Sequence, residues 1–156
     1  MKAVLSLGSN MGDRAAHLAT ARQMIAAEYP VIAVSSIYET VPVGVDDQPS
    51  FLNQVVVVEA DDADVLLAAA HRAESARGRL RNRRWGPRTL DVDVVTVDAI
   101  QSSSPRLTLP HPRAHERAFV LVPWLEVDPD AELPGRGQVA ALLRGLDRSV
   151  VRRWGR

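Results

Sequence analysis

The 156-residue chain contains no cysteine, which removes disulfides, thiolate metal ligands and thiol nucleophiles and fits a reducing compartment. Lysine is nearly as scarce. Lys2 is the only one among 19 basic residues, so almost every cation is an arginine, whose planar fork grips phosphate oxygens two at a time. No run of 18 apolar residues is present to cross a bilayer, and the short apolar stretch between Lys2 and Gly8 is too brief for a signal-peptide core, so a cytoplasmic location without membrane partners is expected. The Gly-x-x-x-x-Gly-Lys pattern of a P-loop is missing. Net charge is missing as well: 19 basic residues balance 19 acidic ones, unlike the net basic domain of most nucleic-acid binders, and no nucleic-acid partner is expected. No linker or low-complexity tract divides the chain and 46% of it is hydrophobic, so residues 1–156 are expected to form a single domain.

Against this neutral background, seven arginines crowd residues 72–88 with Glu74 the only acid among them. Such a cluster can be a nucleic-acid patch or a solvated loop. Here it runs directly into Asp91 and Asp93. In a strand these two share one face, roughly 7 Å apart at Cα, while Leu90, Val92 and Val94 point into the core. Two carboxylates held that close repel unless cations sit between them. Hard divalent cations want carboxylate oxygens and a nucleoside triphosphate wants cations, so the pair beside its arginines suits metal-assisted phosphoryl transfer.

The rest of the chain alternates strands and helices. Residues 2–7 read as a buried strand, and Asp13 as the N-cap of a helix to about residue 28 with Leu18, Ala21 and Ile25 inward and Pro30 as its stop. Residues 31–39 and 51–59 are strands rich in β-branched side chains, joined by an irregular loop over 40–50. Asp62 or Asp64 caps a second helix that carries Val65, Leu66, Ala69, Ala70 and Ala73 inward and ends at Gly78. Residues 91–98 make the fourth strand, residues 102–105 a turn into a short strand near Leu107, and residues 139–146 a small terminal helix. The order β-α-β-β-α-β is that of an α+β ferredoxin-like sandwich, with extra C-terminal short strands and a helix.

Two further segments carry polar groups. His111 lies between Pro110 and Pro112 and is followed by Arg113 and Arg117; it is either a surface residue or a ligand. The segment from Tyr38 to Asn53 offers backbone amides, a carboxamide and apolar walls, a mixture able to hold a flat heterocycle. Trp85 and Phe119 can stack on such a ring, although Phe51 and Phe119 also suit the core.

Leu7-Gly8-Ser9-Asn10, Gly12-Asp13-Arg14, Tyr38, Thr40, Pro42, Gly44, Gln48-Pro49, Phe51-Leu52-Asn53, the run Arg84-Trp85-Gly86-Pro87-Arg88-Thr89-Leu90-Asp91-Val92-Asp93, Pro110-His111 and Arg117-Ala118-Phe119 together resemble the 6-hydroxymethyl-7,8-dihydropterin pyrophosphokinases of folate biosynthesis. The resemblance spans nearly the whole chain. It implies transfer of a pyrophosphoryl group from ATP to a pterin alcohol, two Mg2+ ions bridged by Asp91 and Asp93, and a pterin between rings at Trp85 and Phe119. It further implies that Thr40, Val41, Val43, Phe51 and Asn53 line the pterin, and that Arg79 and Arg88 clamp phosphates during transfer. His71, Glu74, Arg81, Arg106, Thr108, His111 and Arg117 would meet the nucleotide. Val41 interrupts a common Thr-Pro-Pro run, and Pro112 replaces an aromatic found in some members. A monomer acting on ATP and the pterin is expected. The rival readings are a two-metal nucleotidyltransferase that releases pyrophosphate and an RNA-binding ferredoxin-like module, the latter opposed by the lack of aromatics in residues 55–58 and 92–97.

Overall fold

A computed structural model describes residues 1–41, 49–76 and 89–155. The chain runs β1 (Lys2–Ser9), α1 (Arg14–Glu28), β2 (Val31–Val34), β3 (Tyr38–Thr40), β4 (Phe51–Glu59), α2 (Ala63–Ala76) and β5 (Asp91–Val97). Short elements follow: β6 (Ser102–Ser103), β7 (Thr108–Leu109), a 3-10 turn (Ala114–Glu116), α3 (Ala118–Val127), β8 (Glu132–Leu133), β9 (Gly137–Gln138), α4 (Val139–Leu143) and β10 (Val151–Arg153).

β1 is buried at every residue after Lys2, and β4 from Leu52 to Val58, so the sheet they form must be covered on both faces. β1 sits between β4 and β5, antiparallel to each; β2 and β3 lie along the other side of β4, and β10 pairs with β3. This is the expected ferredoxin-like arrangement. Leu18, Ala21 and Ile25 of α1 and Leu66, Ala70 and Ala73 of α2 pack on one face, against Leu5, Leu7, Val56, Val58 and Val92. On the opposite face α3 and α4 bring Val120, Leu121, Trp124, Val139 and Leu143 onto Val4, Val55, Val57 and Val95. Each large aliphatic side chain removed from water in these layers contributes about 1.5–3 kcal/mol.

The local signals explain the helix ends. Asp13 Oδ1 accepts the Ala16 N–H at 3.1 Å at the start of α1, and Pro30 follows its end. Asp62, rather than Asp64, caps α2: its Oδ1 accepts from Asp64 N at 2.8 Å and Val65 N at 3.1 Å.

Several expectations need correction. Val65 is 55% exposed, because the inner stripe of α2 is Leu66, Ala69, Ala70 and Ala73, and Val65 lies about 100° round the helix from Leu66. The strand expected over 31–39 is two strands. At the break the ladder is partly replaced by side-chain bonds: Ser35 N still donates to Val55 O at 2.9 Å, but Ser35 Oγ accepts from Val55 N at 2.9 Å, and the Glu126 carboxylate accepts from Ser36 N at 3.0 Å. The short strand near Leu107 is displaced to Thr108–Leu109, which pairs with Ser102–Ser103 and leaves Leu107 in the turn between them. α4 stops at Leu143, where turn bonds take over. α3 was absent from the sequence pattern because Pro123 lies inside it and its apolar residues do not form a one-sided stripe. Gly78 lies outside the described residues.

Candidate functional site

Asp91 and Asp93 open β5, an edge strand of the main sheet, and both are half-buried while Leu90, Val92 and Val94 are buried in the first core. Register with β1 sets Asp91 opposite Gly8 and Asp93 opposite Ser6. Val95 continues the aspartate face into the second core, and beyond Val94 the register with β1 shifts, so that Val97 rather than Thr96 returns to the first core.

Arg117 and His111 converge on Asp93. Arg117 Nη1 lies 3.8 Å from Asp93 Oδ2, and its guanidinium stands 5.5 Å over the Phe119 ring. His111 is held by its own N–H, which donates to Val95 O at 2.8 Å. Its Nδ1 accepts from Arg113 N at 3.2 Å, which leaves the imidazole proton of the neutral ring on Nε2. Burial pushes the His111 pKa down, against the opposing pull of Asp93, with Arg117 and Arg113 adding to the fall. A neutral imidazole donor beside a carboxylate and a guanidinium can orient a phosphate without adding another full charge.

Asn53 occupies the centre of a second group, two strands over on β4, with β1 between. It is buried, and its Oδ1 accepts from Thr40 Oγ1 at 2.7 Å. Gly8 lies opposite it in register, and a Cβ there would meet Asn53 Nδ2 at 3.2 Å and Phe51 Cδ1 at 3.7 Å. Gly8 thus touches the carboxamide from β4 while its other neighbour strand carries Asp91. Phe51 and Phe119 are both half-buried, with Phe119 packed on the second core. Val41 is exposed, and its N–H already donates to Val150 O at 3.2 Å.

A brace absent from the sequence reading holds this second group. Arg14 Nη1 reaches Glu39 Oε2 at 3.0 Å and Ser50 O at 2.9 Å, and Ser50 Oγ donates to Glu39 Oε2 at 2.7 Å. The bond from Ser50, then that from Arg14, hold the Glu39 carboxyl below its ordinary pKa. The motif Gly12-Asp13-Arg14 was the available signal.

The other expected nucleotide contacts are more scattered. Glu74 is buried and its Oε2 accepts from Val92 N at 2.9 Å, whereas His71, one turn earlier on α2, is exposed. Thr108 Oγ1 donates to Ser104 O at 3.1 Å within its own hairpin. Arg106 Nη2 pairs with Asp64 Oδ1 at 2.7 Å, at the opposite end of α2 from Glu74. Ten helical residues put those ends roughly 15 Å apart, so the structure does not bring Arg106 to the aspartate pair. Arg79, Arg81, Trp85, Arg88 and Val43 lie outside the described residues.

Asp91 and Asp93 suit magnesium. They offer hard oxygen donors on one strand face, and Mg2+ characteristically takes one or two carboxylates and completes its shell with phosphates and water.

Comparison with known proteins gives a consistent result. The family model described as 7,8-dihydro-6-hydroxymethylpterin-pyrophosphokinase (HPPK) matches residues 4–129. The 2-amino-4-hydroxy-6-hydroxymethyldihydropteridine pyrophosphokinase of Mycobacterium leprae is 48% identical over 158 residues, covering 93% of this chain and 81% of the relative. That of Methylorubrum extorquens is 44% identical, covering 97% of this chain and 98% of the relative. Among solved structures, wild-type HPPK-DHPS of Plasmodium falciparum with pteroate aligns with a TM-score of 0.72 at 15% identity, over 92% of this chain and 42% of that one. The chain therefore spans less than half of that solved chain, and the likeness speaks to the fold.

Proposed function

Because the chain belongs to the 7,8-dihydro-6-hydroxymethylpterin-pyrophosphokinase family, we propose that its two groups of polar residues are the two halves of one active site. The protein is an ATP-dependent pyrophosphokinase of folate biosynthesis, moving the pyrophosphoryl group of ATP to the hydroxymethyl oxygen of 6-hydroxymethyl-7,8-dihydropterin. In this reading the Asn53 carboxamide, braced by Thr40, reads the pterin edge, and Phe51, Phe119 and Trp85 enclose the ring, with Val41 and Val43 contributing backbone groups. His111 and Arg117 orient the phosphates beside Asp93, joined by Arg81. Arg79 and Arg88 clamp the transferring group. His71, Arg106 and Thr108 serve the outer part of the nucleotide, which suits the separation of Arg106 from the aspartates.

Asp91 and Asp93 would hold two Mg2+ ions, which when bound neutralise phosphate charge and acidify the alcohol. The alcohol oxygen attacks the β-phosphorus and AMP departs. What the chain itself contributes is alignment of the two substrates and stabilisation of charge by fixed guanidiniums. A monomeric, cytoplasmic enzyme of one domain completes the reading. Among the described residues no helix is long and apolar enough to cross a membrane.

The observation that carries the proposal is Gly8, which contacts Asn53 and stands opposite Asp91, so that the ring-reading and metal-holding residues share one strand as neighbour. The test is product identity. With ATP, magnesium and the reduced hydroxymethylpterin the protein should form AMP and the pterin diphosphate; release of inorganic pyrophosphate instead would indicate a nucleotidyltransferase. Asp93→Ala should remain folded by circular dichroism and lose at least about a thousandfold in turnover, as several kcal/mol of charge stabilisation disappear. A folded variant with near-normal activity would reject the metal assignment.

A further inference from the structure

Glu74 occupies a place that disfavours a carboxylate. It is 3% exposed and lies on the inner stripe of α2 with Leu66, Ala70 and Ala73, where taking a carboxylate out of water has a cost that hydrogen bonds must offset. Packing alone would favour an apolar residue there. What the carboxylate does accept is the backbone N–H of Val92, at 2.9 Å.

Val92 stands between Asp91 and Asp93 on β5, which pairs with β1 on one side; among the described residues no strand pairs with its other side. Backbone N–H groups of an antiparallel strand point alternately to its two neighbours. The Val92 N–H points to the open side, and Glu74 stands in for the missing strand. The same alternation turns the N–H groups of Asp91 and Asp93 towards β1, where Gly8 and Ser6 are their partners. Every peptide plane across the aspartate pair is thereby anchored, from one side by β1 and from the other by Glu74.

We propose that Glu74 is a positioning residue for the metal carboxylates: by fixing the Asp91–Val92 peptide it sets the separation and direction of the Asp91 and Asp93 side chains. The proposal deepens the pyrophosphokinase reading and rests on it. It also changes the part expected of Glu74, from touching the nucleotide to acting through its neighbours. The two roles need different chemistry. A nucleotide contact depends on a reachable oxygen, and positioning depends on an acceptor within hydrogen-bond distance of Val92.

Glu74→Gln keeps such an acceptor, whereas Glu74→Leu fills a similar volume and leaves the Val92 N–H without a partner. The leucine variant should need about tenfold more magnesium for half-maximal rate, and Mn2+ should bind about tenfold more weakly in the presence of a non-hydrolysable ATP analogue, as read by electron paramagnetic resonance. Its KM for the pterin should change by less than about threefold. Amide hydrogen exchange at Val92 supplies a readout independent of turnover: faster by about tenfold or more in the leucine variant and near wild type in the glutamine variant. Glutamine should also keep metal affinity within about threefold of wild type. A folded leucine variant with wild-type metal affinity, or a glutamine variant as impaired as leucine, overturns the positioning role while AMP formation by the wild type leaves the parent reading standing. If leucine prevents folding, the glutamine variant decides alone: retained Val92 protection and metal affinity support the role, and loss of either overturns it. A wild-type protein that forms no AMP removes both.

Discussion

Gly8 shows how much a single missing side chain can matter. A methyl group at this position would press on Asn53 Nδ2 at 3.2 Å, so the carboxamide must give way by a few tenths of an ångström. Its Oδ1 is already tied to Thr40, so the shift tilts the whole amide. Gly8→Ala should therefore weaken pterin binding by about tenfold or more, within the usual cost of overpacking, while nucleotide binding changes far less. Titration calorimetry with each ligand separately checks it; equal losses for both would mean a general disturbance of β1. Glu39 allows a test by pH. Its folded pKa lies below the ordinary 4.5, because Ser50 and then Arg14 favour the charged form. A depressed carboxyl pKa adds stability above the unfolded value, and that addition is lost as pH falls below about 4.5 and through the folded pKa. Glu39→Gln should thus show a smaller drop in urea midpoint between about pH 7 and about pH 3 than wild type does. An unchanged drop would mean that the brace does not govern acid stability.

At the scale of elements, one residue of α3 ties three parts of the chain together. The Glu126 carboxylate accepts from Ser36 N at 3.0 Å, Ser36 Oγ at 2.9 Å and Tyr38 Oη at 2.7 Å, with Arg153 of β10 at 3.8 Å. Glu126→Ala removes these acceptors, including the one to which the part-buried Tyr38 hydroxyl donates, at a cost of about 2 kcal/mol by denaturant unfolding. Arg153→Ala should cost less than about 0.5 kcal/mol, since that ion pair is long and half exposed. Equal losses would show that the cation, not the hydrogen bonds, holds the junction. The same junction separates what could be read from sequence from what could not. α1 was legible to the residue because Asp13, Leu18, Ala21, Ile25 and Pro30 all obey helical spacing and capping rules. The division of residues 31–39 into β2 and β3 was not, because it depends on Glu126, some 90 residues away, supplying the bonds that a continuous ladder would have made.

For the whole molecule, burial of β1 and β4 on both sides was visible as runs such as residues 55–58, all valine, yet the cover on the second face could not be assigned while α3 remained hidden by Pro123. That second layer also bears on the RNA-binding alternative, for the sheet face on which such a module would stack bases lies beneath Leu121, Trp124 and Leu143. The candidate site was legible where it follows strand alternation, as for Asp91 and Asp93, or a named motif, as for Asn53. Its distribution between inward and outward roles on α2 was less so. Glu74 lies four residues after Ala70 and eight after Leu66, on the inner stripe, and a charged side chain there is easily taken for a surface residue.

The position of Gly8 between Asn53 and Asp91 has a mechanical meaning. Two steps across the sheet, each about 4.8 Å, put roughly 9–10 Å between the backbone that reads the heterocycle and the backbone that holds the metals. That interval is made of ladder hydrogen bonds in the best-buried part of the protein, so it behaves as a gauge block whose length neither substrate can adjust. Surrounding segments are free to diverge in length and sequence without altering the gauge. An acceptor molecule must match it: an alcohol carried on an arm one carbon longer would still be recognised at its ring, yet would present its oxygen out of step with the phosphorus it has to attack.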